Sequence, residues 1–155
     1  METKTCVLSI EDDPLQRQFI REYLEIESRH RVLEAKGIYH ALALCECAHP
    51  AVDVVLIDMA MTRIDPVELI LMIRKKRPDV AILGMTDRPT EFYEKPRLRS
   101  AHVSFIPPPL TPARLNRGIE AMIRAQERKA KSVLLGHGRS LRIPVYLPAR
   151  SSRHG

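Results

Sequence analysis

Four acids and one hydroxyl stand out because they lie at the ends of short apolar runs. Glu11, Asp12 and Asp13 close the run Thr5–Ile10, Asp58 closes Val52–Ile57, and Thr86, with Asp87 beside it, closes Val80–Met85. If these runs are strands of one sheet, their ends meet and the carboxylates converge on one crevice. Carboxylates held close together repel one another unless something positive lies between them. A hard divalent cation with oxygen ligands, Mg²⁺ above all, answers that need. The chemistry on offer is a metal-assisted carboxylate with a neighbouring hydroxyl. No His or Cys stands beside a nucleophile, and no Gly-rich phosphate loop follows any of the runs; Gly136-His137-Gly138 follows a helical stretch and fits no phosphate-binding pattern.

The elements that must position these residues alternate along the chain. Thr5–Ile10 reads as a buried strand. Asp13 then offers an N-cap and Pro14 the first helical position, where a missing N–H costs nothing; Leu15, Phe19, Ile20, Tyr23 and Leu24 follow at helical spacing. A weaker strand over 31–35 is closed by Gly37, and a helix over 39–48 is stopped by Pro50. Val52–Ile57, rich in β-branched residues, reads as a strand buried on both faces. Asp65-Pro66-Val67-Glu68 is a capping box opening a helix over 67–77, whose Arg74, Lys75, Lys76 and Arg77 suit a C-terminal dipole. Strands over 80–85 and 102–106 bracket a poor helix over 90–100 that Pro96 should break or kink. Thr111-Pro112 caps a last helix with Leu115, Ile119, Met122 and Ile123 as its stripe. Such alternation predicts an α/β fold, a doubly wound five-stranded parallel sheet with right-handed crossovers and helices on both faces. Ligands of such sheets sit at the carboxyl ends of the strands, where the acids are.

Composition narrows the function classes. The chain has 155 residues, enough for one compact domain and a short appendage but too few for two well-buried cores. No apolar run approaches the roughly 20 residues of a membrane span, and no secretory signal follows Met1, so a cytoplasmic protein is expected. The three cysteines, Cys6, Cys45 and Cys47, are an odd number in a chain that needs no disulfide. Cys45 and Cys47 point to opposite sides of a helix, and Cys45 with His49 on one face supplies only two metal ligands. The formal charge of +6 is unevenly spread: residues 1–123 carry 17 Lys/Arg against 18 Asp/Glu, whereas residues 124–155 carry eight basic residues and one acid, Glu127. The expected division is a domain over 1–126 and a basic tail over 127–155. That tail is too short for a helix-turn-helix and lacks the aromatics of a single-strand platform. It reads as a solvated linker first, a contact for an acidic partner second and a nucleic-acid contact third.

Taken together, the acidic pair after strand one, the aspartate after strand three, the hydroxyl after strand four, the aromatic Phe105 on strand five and the proline beyond it resemble the receiver domain of two-component response regulators (CheY-like). The resemblance spans about Cys6 to Ile123 and implies the strand order 2-1-3-4-5. It implies Asp58 as phosphoacceptor from a histidine kinase or phosphotransfer protein, with Glu11, Asp12, Asp58 and the carbonyl of Ala60 holding Mg²⁺. Thr86 would donate to a phosphoryl oxygen, Phe105 would be an aromatic switch, and the output would be contact with a downstream protein target by a stand-alone signalling domain that is not an enzyme. A phosphatase-like enzyme with Asp58 as nucleophile would need a second acid where Ala60 stands. The sequence also departs from the family. Pro108 occupies the place of a lysine, Asp87 replaces a very small residue, and the family's usual proline and glycine after the phosphoacceptor are Thr62 and Pro66. Pro96 interrupts the fourth helix. These departures carry a second expectation, a pseudo-receiver that binds its partner without phosphorylation.

Overall fold

The computed structural model describes residues 4–136. Five parallel strands, β1 (Cys6–Ile10), β2 (Arg31–Glu34), β3 (Val54–Asp58), β4 (Ala81–Met85) and β5 (Ser104–Ile106), form one sheet in the order β2-β1-β3-β4-β5. Successive side chains of a strand point to opposite faces, so each central strand feeds two cores. Leu8, Ile10, Val55, Ile57, Ile82 and Phe105 lie on one face, under helices α2 (Ile38–Cys47) and α3 (Pro66–Lys76). Val7, Val54, Leu56, Leu83 and Ile106 lie on the other, under α1 (Pro14–Glu22) and the last helix. Strands buried on both faces explain why these runs are continuously apolar rather than alternating.

Prolines open α1 and α3 as expected. Asp13 Oδ1 accepts from the N–H groups of Leu15 at 2.8 Å and Gln16 at 3.4 Å, and Asp65 Oδ1 accepts from Val67 at 2.9 Å and Glu68 at 3.3 Å. The reciprocal half of the capping box is replaced: the Glu68 carboxylate pairs with Arg97 at 2.6 Å. Between α1 and β2 the helix relaxes into a π-helical turn over Tyr23–Glu27, which the apolar spacing did not foretell, and Arg29 at φ 56° turns the chain out of it. The stripe read on the first helix is only half buried. Ile20 and Leu24 enter the core, whereas Leu15 and Phe19 face solvent. Helix α2 ends at Cys47, so His49 lies beyond it and shares no helical face with Cys45; burial pushes the Cys45 thiol up to about 11, leaving it inert.

The expected fourth helix is two short pieces, α4 (Pro89–Tyr93) and α5 (Pro96–Arg99). Pro96 does not kink a helix but starts one, and Lys95 before it is extended at ψ 115°, the conformation a following proline favours. Helix α6 (Pro112–Leu134) is capped by Thr111 Oγ1, which accepts from Arg114 N at 3.2 Å, and runs without a break through residues 126 and 127. Most of the basic tail expected over 127–155, residues 137–155, lies outside the described residues.

Candidate phosphoacceptor site

Parallel register brings the acids together. In the sheet Ile10 pairs with Ile57 and Asp58 with Met85, so Glu11 and Asp12 emerge from β1 beside Asp58, and Thr86 leaves β4 one step past Asp58. The ladder continues beyond the strands through Met59 N donating to Met85 O at 3.0 Å and Thr86 N to Ile106 O at 3.2 Å. Glu11, Asp12 and Asp58 each bring a carboxylate oxygen within 4.8 Å of the others.

Each acid is held differently. Glu11 is buried, with Oε1 accepting from Asp13 N at 3.0 Å and Oε2 accepting from no described donor. Asp12 Oδ2 accepts from the amides of Thr62 and Arg63, both at 3.2 Å, which ties the loop after β3 to the end of β1. Asp58 is half-buried and Oδ1 accepts from Ala60 N at 2.8 Å. Burial pushes the Glu11 carboxyl up to about 8, with the Asp13 N–H pulling against it; the neighbouring Asp58 carboxyl and the charge of Asp12 push it further up. A buried carboxyl with an unpartnered oxygen, facing two more carboxylates, is a set of hard oxygen donors short of positive charge, and Mg²⁺ fits it. Asp13 stands apart from the trio, its carboxylate spent on the α1 cap.

Thr86 Oγ1 accepts from Arg88 N at 3.0 Å, which leaves its O–H to donate elsewhere. Asp87 next to it is exposed. Phe105 is not at this cluster. It is 1% exposed in β5, opposite Gly84, with the Tyr93 ring edge-on at 4.8 Å and Phe92 at 5.6 Å. Lys95 holds its ammonium 5.3 Å from the centre of the Phe92 ring. Pro108 is exposed on the loop after β5, and its bond to Pro109 is cis.

The family model of the response regulator receiver domain matches residues 7–120. The chain belongs to this family. Known receiver structures share its fold at low identity. A CheY-like receiver from Methanospirillum hungatei JF-1 is 21% identical with a TM-score of 0.68, over 82% of this chain and 99% of that one. The receiver domain of a sensor histidine kinase from Pseudomonas aeruginosa PAO1, solved with magnesium coordinated in its active-site cleft, is 20% identical with a TM-score of 0.66, over 78% and 98%. NtrX from Brucella abortus is 20% identical with a TM-score of 0.73, over 86% of this chain but 30% of that longer one. No curated protein matches the chain. As a receiver, the protein is a two-component signalling domain, and none of its described helices is long and apolar enough to cross a membrane.

Proposed function

We propose that this receiver accepts a phosphoryl group on Asp58 from a histidine kinase or phosphotransfer protein and signals through contact with a downstream protein. The observation that carries the reading is the convergence of Glu11, Asp12 and Asp58 at the carboxyl edge of the sheet, with Glu11 Oε2 buried and unpartnered. In the transfer, an Asp58 carboxylate oxygen attacks phosphorus and the P–N bond to the donor imidazole breaks. Its electron pair goes to the ring nitrogen, which takes up a proton from solvent, and an acyl phosphate forms. Glu11, Asp12, Asp58 and the Ala60 carbonyl would hold Mg²⁺, which neutralises charge on the moving phosphoryl group. Thr86 donates its hydroxyl to a phosphoryl oxygen, and Phe105, paired across the sheet with Gly84 two residues before Thr86, is the aromatic that would answer that pull.

The test is intact-protein mass after incubation with a small phosphodonor and Mg²⁺, beside an Asp58→Asn control. The reading expects one phosphoryl increment that needs the metal and is absent from the variant; no increment on folded protein overturns it. A second reading, a pseudo-receiver working without phosphate, is favoured by Pro108 where the family has a lysine and by Lys95 being engaged over Phe92. Under it, the unphosphorylated protein and Asp58→Asn bind the downstream partner equally well.

A further inference from the structure

An open groove of about 400 Å³ lies between α3 and the segment that carries α5. One wall is a single face of α3, because Glu68, Leu71, Met72 and Lys75 recur at the spacing that places side chains one above another on a helix. The sheet-facing residues of that helix are Leu69, Ile70 and Ile73, which are fully buried. Leu71 and Met72 pack against the edge of the core but stay half-buried, so their outer sides form an apolar strip, with Ala101 completing the floor. The groove stays open because α5 has four residues set against the eleven of α3, a consequence of Pro96 restarting the chain. Two arginines bridge the gap: Arg97 to Glu68 at 2.6 Å, and Arg74 Nε to Ala101 O at 2.8 Å.

The lining charges are unequal. Arg74, Lys75 and Arg97 stand against Glu68 alone. Arg74 is spent on backbone carbonyls and Arg97 on Glu68, whereas exposed Lys75 makes no ion pair among the described residues. An apolar strip ending in an unpaired cation selects against the chain's own basic C-terminal residues 124–155, which carry eight basic side chains and one acid. It selects for a segment of opposite charge. The geometry points to this groove as a docking site for an acidic segment of a partner protein, one that seats an aliphatic or aromatic side chain on Leu71 and Met72 and sets a carboxylate against Lys75. Met72 suits the role, since its flexible thioether adapts to differently shaped side chains. None of the groove's lining residues belongs to the acidic cluster around Asp58.

The experiment is an amide NMR titration of the full isotope-labelled chain with two synthetic hexapeptides, Glu-Glu-Leu-Leu-Glu-Glu and Lys-Lys-Leu-Leu-Lys-Lys, both blocked at their ends. The acidic peptide is expected to shift the amides of Leu71, Met72, Lys75, Ser100 and Ala101, and the basic one to leave them still. Lys75→Glu, an exposed position that leaves the fold intact, should weaken the acidic peptide about tenfold and admit the basic one; Met72→Gln should weaken the acidic peptide without reversing the preference. Three results would overturn the proposal: no shifts at these amides up to millimolar peptide, equal shifts with both peptides, or the same amides shifting on dilution of the protein alone. The last would mean that a second copy covers the groove.

Discussion

Gly84 and Phe105 face each other across β4 and β5, and a Cβ on Gly84 would stand 2.7 Å from Phe105 Cδ1 and 2.8 Å from Cε1. The ring fits only because its neighbour has no side chain. Tyr93 and Phe92 enclose it from the helix side, so it has little room to retreat. Gly84→Ala is expected to overpack the site and cost about 1–3 kcal/mol, read as a lower urea midpoint with the slope unchanged. Phe105→Leu in the same chain should recover part of the loss, giving a coupling energy of opposite sign in a double-mutant cycle. Additive losses would show that the contact does not hold the ring.

The acidic cluster predicts a pH dependence of opposite direction to that of an ion-paired carboxylate. Glu11 has its pKa raised to about 8 in the fold, chiefly by burial, above its ordinary 4.5. The folded protein therefore holds a proton there that the unfolded chain releases between those values. Its contribution to stability is fully present below about 4.5 and is lost as pH rises to about 8. Thermal unfolding without divalent cations should show stability falling across that range. Mg²⁺ competes with the same proton, so its affinity should rise by up to about tenfold per pH unit below 8, measured by titration calorimetry in buffers of different ionisation enthalpy. A flat profile would mean that Glu11 is already ionised.

Asp58→Asn removes one of the three converging charges. Above pH 8, where Glu11 is ionised, the metal-free variant is expected to be more stable than the parent by roughly 1 kcal/mol, while its Mg²⁺ affinity falls. Denaturant midpoints with and without Mg²⁺ separate the two effects. A variant destabilised in both conditions would assign Asp58 a structural role instead.

The sheet and its acidic edge were legible because one physical rule covers both. A strand buried on both faces must be an unbroken apolar run, and its end is where the first polar residue appears; Asp58, Glu11 and Thr86 were found in that way. The π-helical turn at Tyr23–Glu27 was not legible, since an i+5 hydrogen bond leaves no mark in a 3.6-residue pattern. The exposure of Leu15 was hidden for a related reason, as spacing reports a stripe but not where the sheet ends beneath it. Pro96 was rightly read as a break, yet the groove that the break opens depends on which face of α3 lies beside it, and that is a tertiary fact.

Arg74 marks the same limit from another side. By sequence it is one of four cations suited to the end of α3. In the fold its guanidinium donates to Ala101 O at 2.8 Å, Pro78 O at 2.9 Å and Val80 O at 2.6 Å, joining the end of α3, the start of β4 and the chain before β5. A lysine keeps the charge but cannot fork to carbonyls on three segments. Arg74→Lys is expected to cost about 2–3 kcal/mol, seen in the urea midpoint, whereas Lys75→Gln next to it should stay within about 0.5 kcal/mol. Equal effects would reduce Arg74 to its charge.

Asp13 offers the sharpest separation of cap from ligand, because it adjoins two of the acids yet points away from them. Its Oδ1 takes the first free N–H groups of α1, and its own N–H supports Glu11 Oε1 at 3.0 Å. Asp13→Ala loses the cap but keeps that backbone donor, so it should cost about 1 kcal/mol of stability and leave Mg²⁺ affinity within about twofold, since a backbone donor survives side-chain truncation. Asp12→Ala has the reverse expectation. It removes an oxygen of the proposed Mg²⁺ site together with the acceptor for Thr62 and Arg63, and Mg²⁺ affinity should fall by tenfold or more, in line with the loss of a charged ligand. Calorimetry on the two variants at one pH decides it: if Asp13→Ala loses Mg²⁺ as Asp12→Ala does, the acidic site holds three consecutive ligands after β1 and the cap assignment fails.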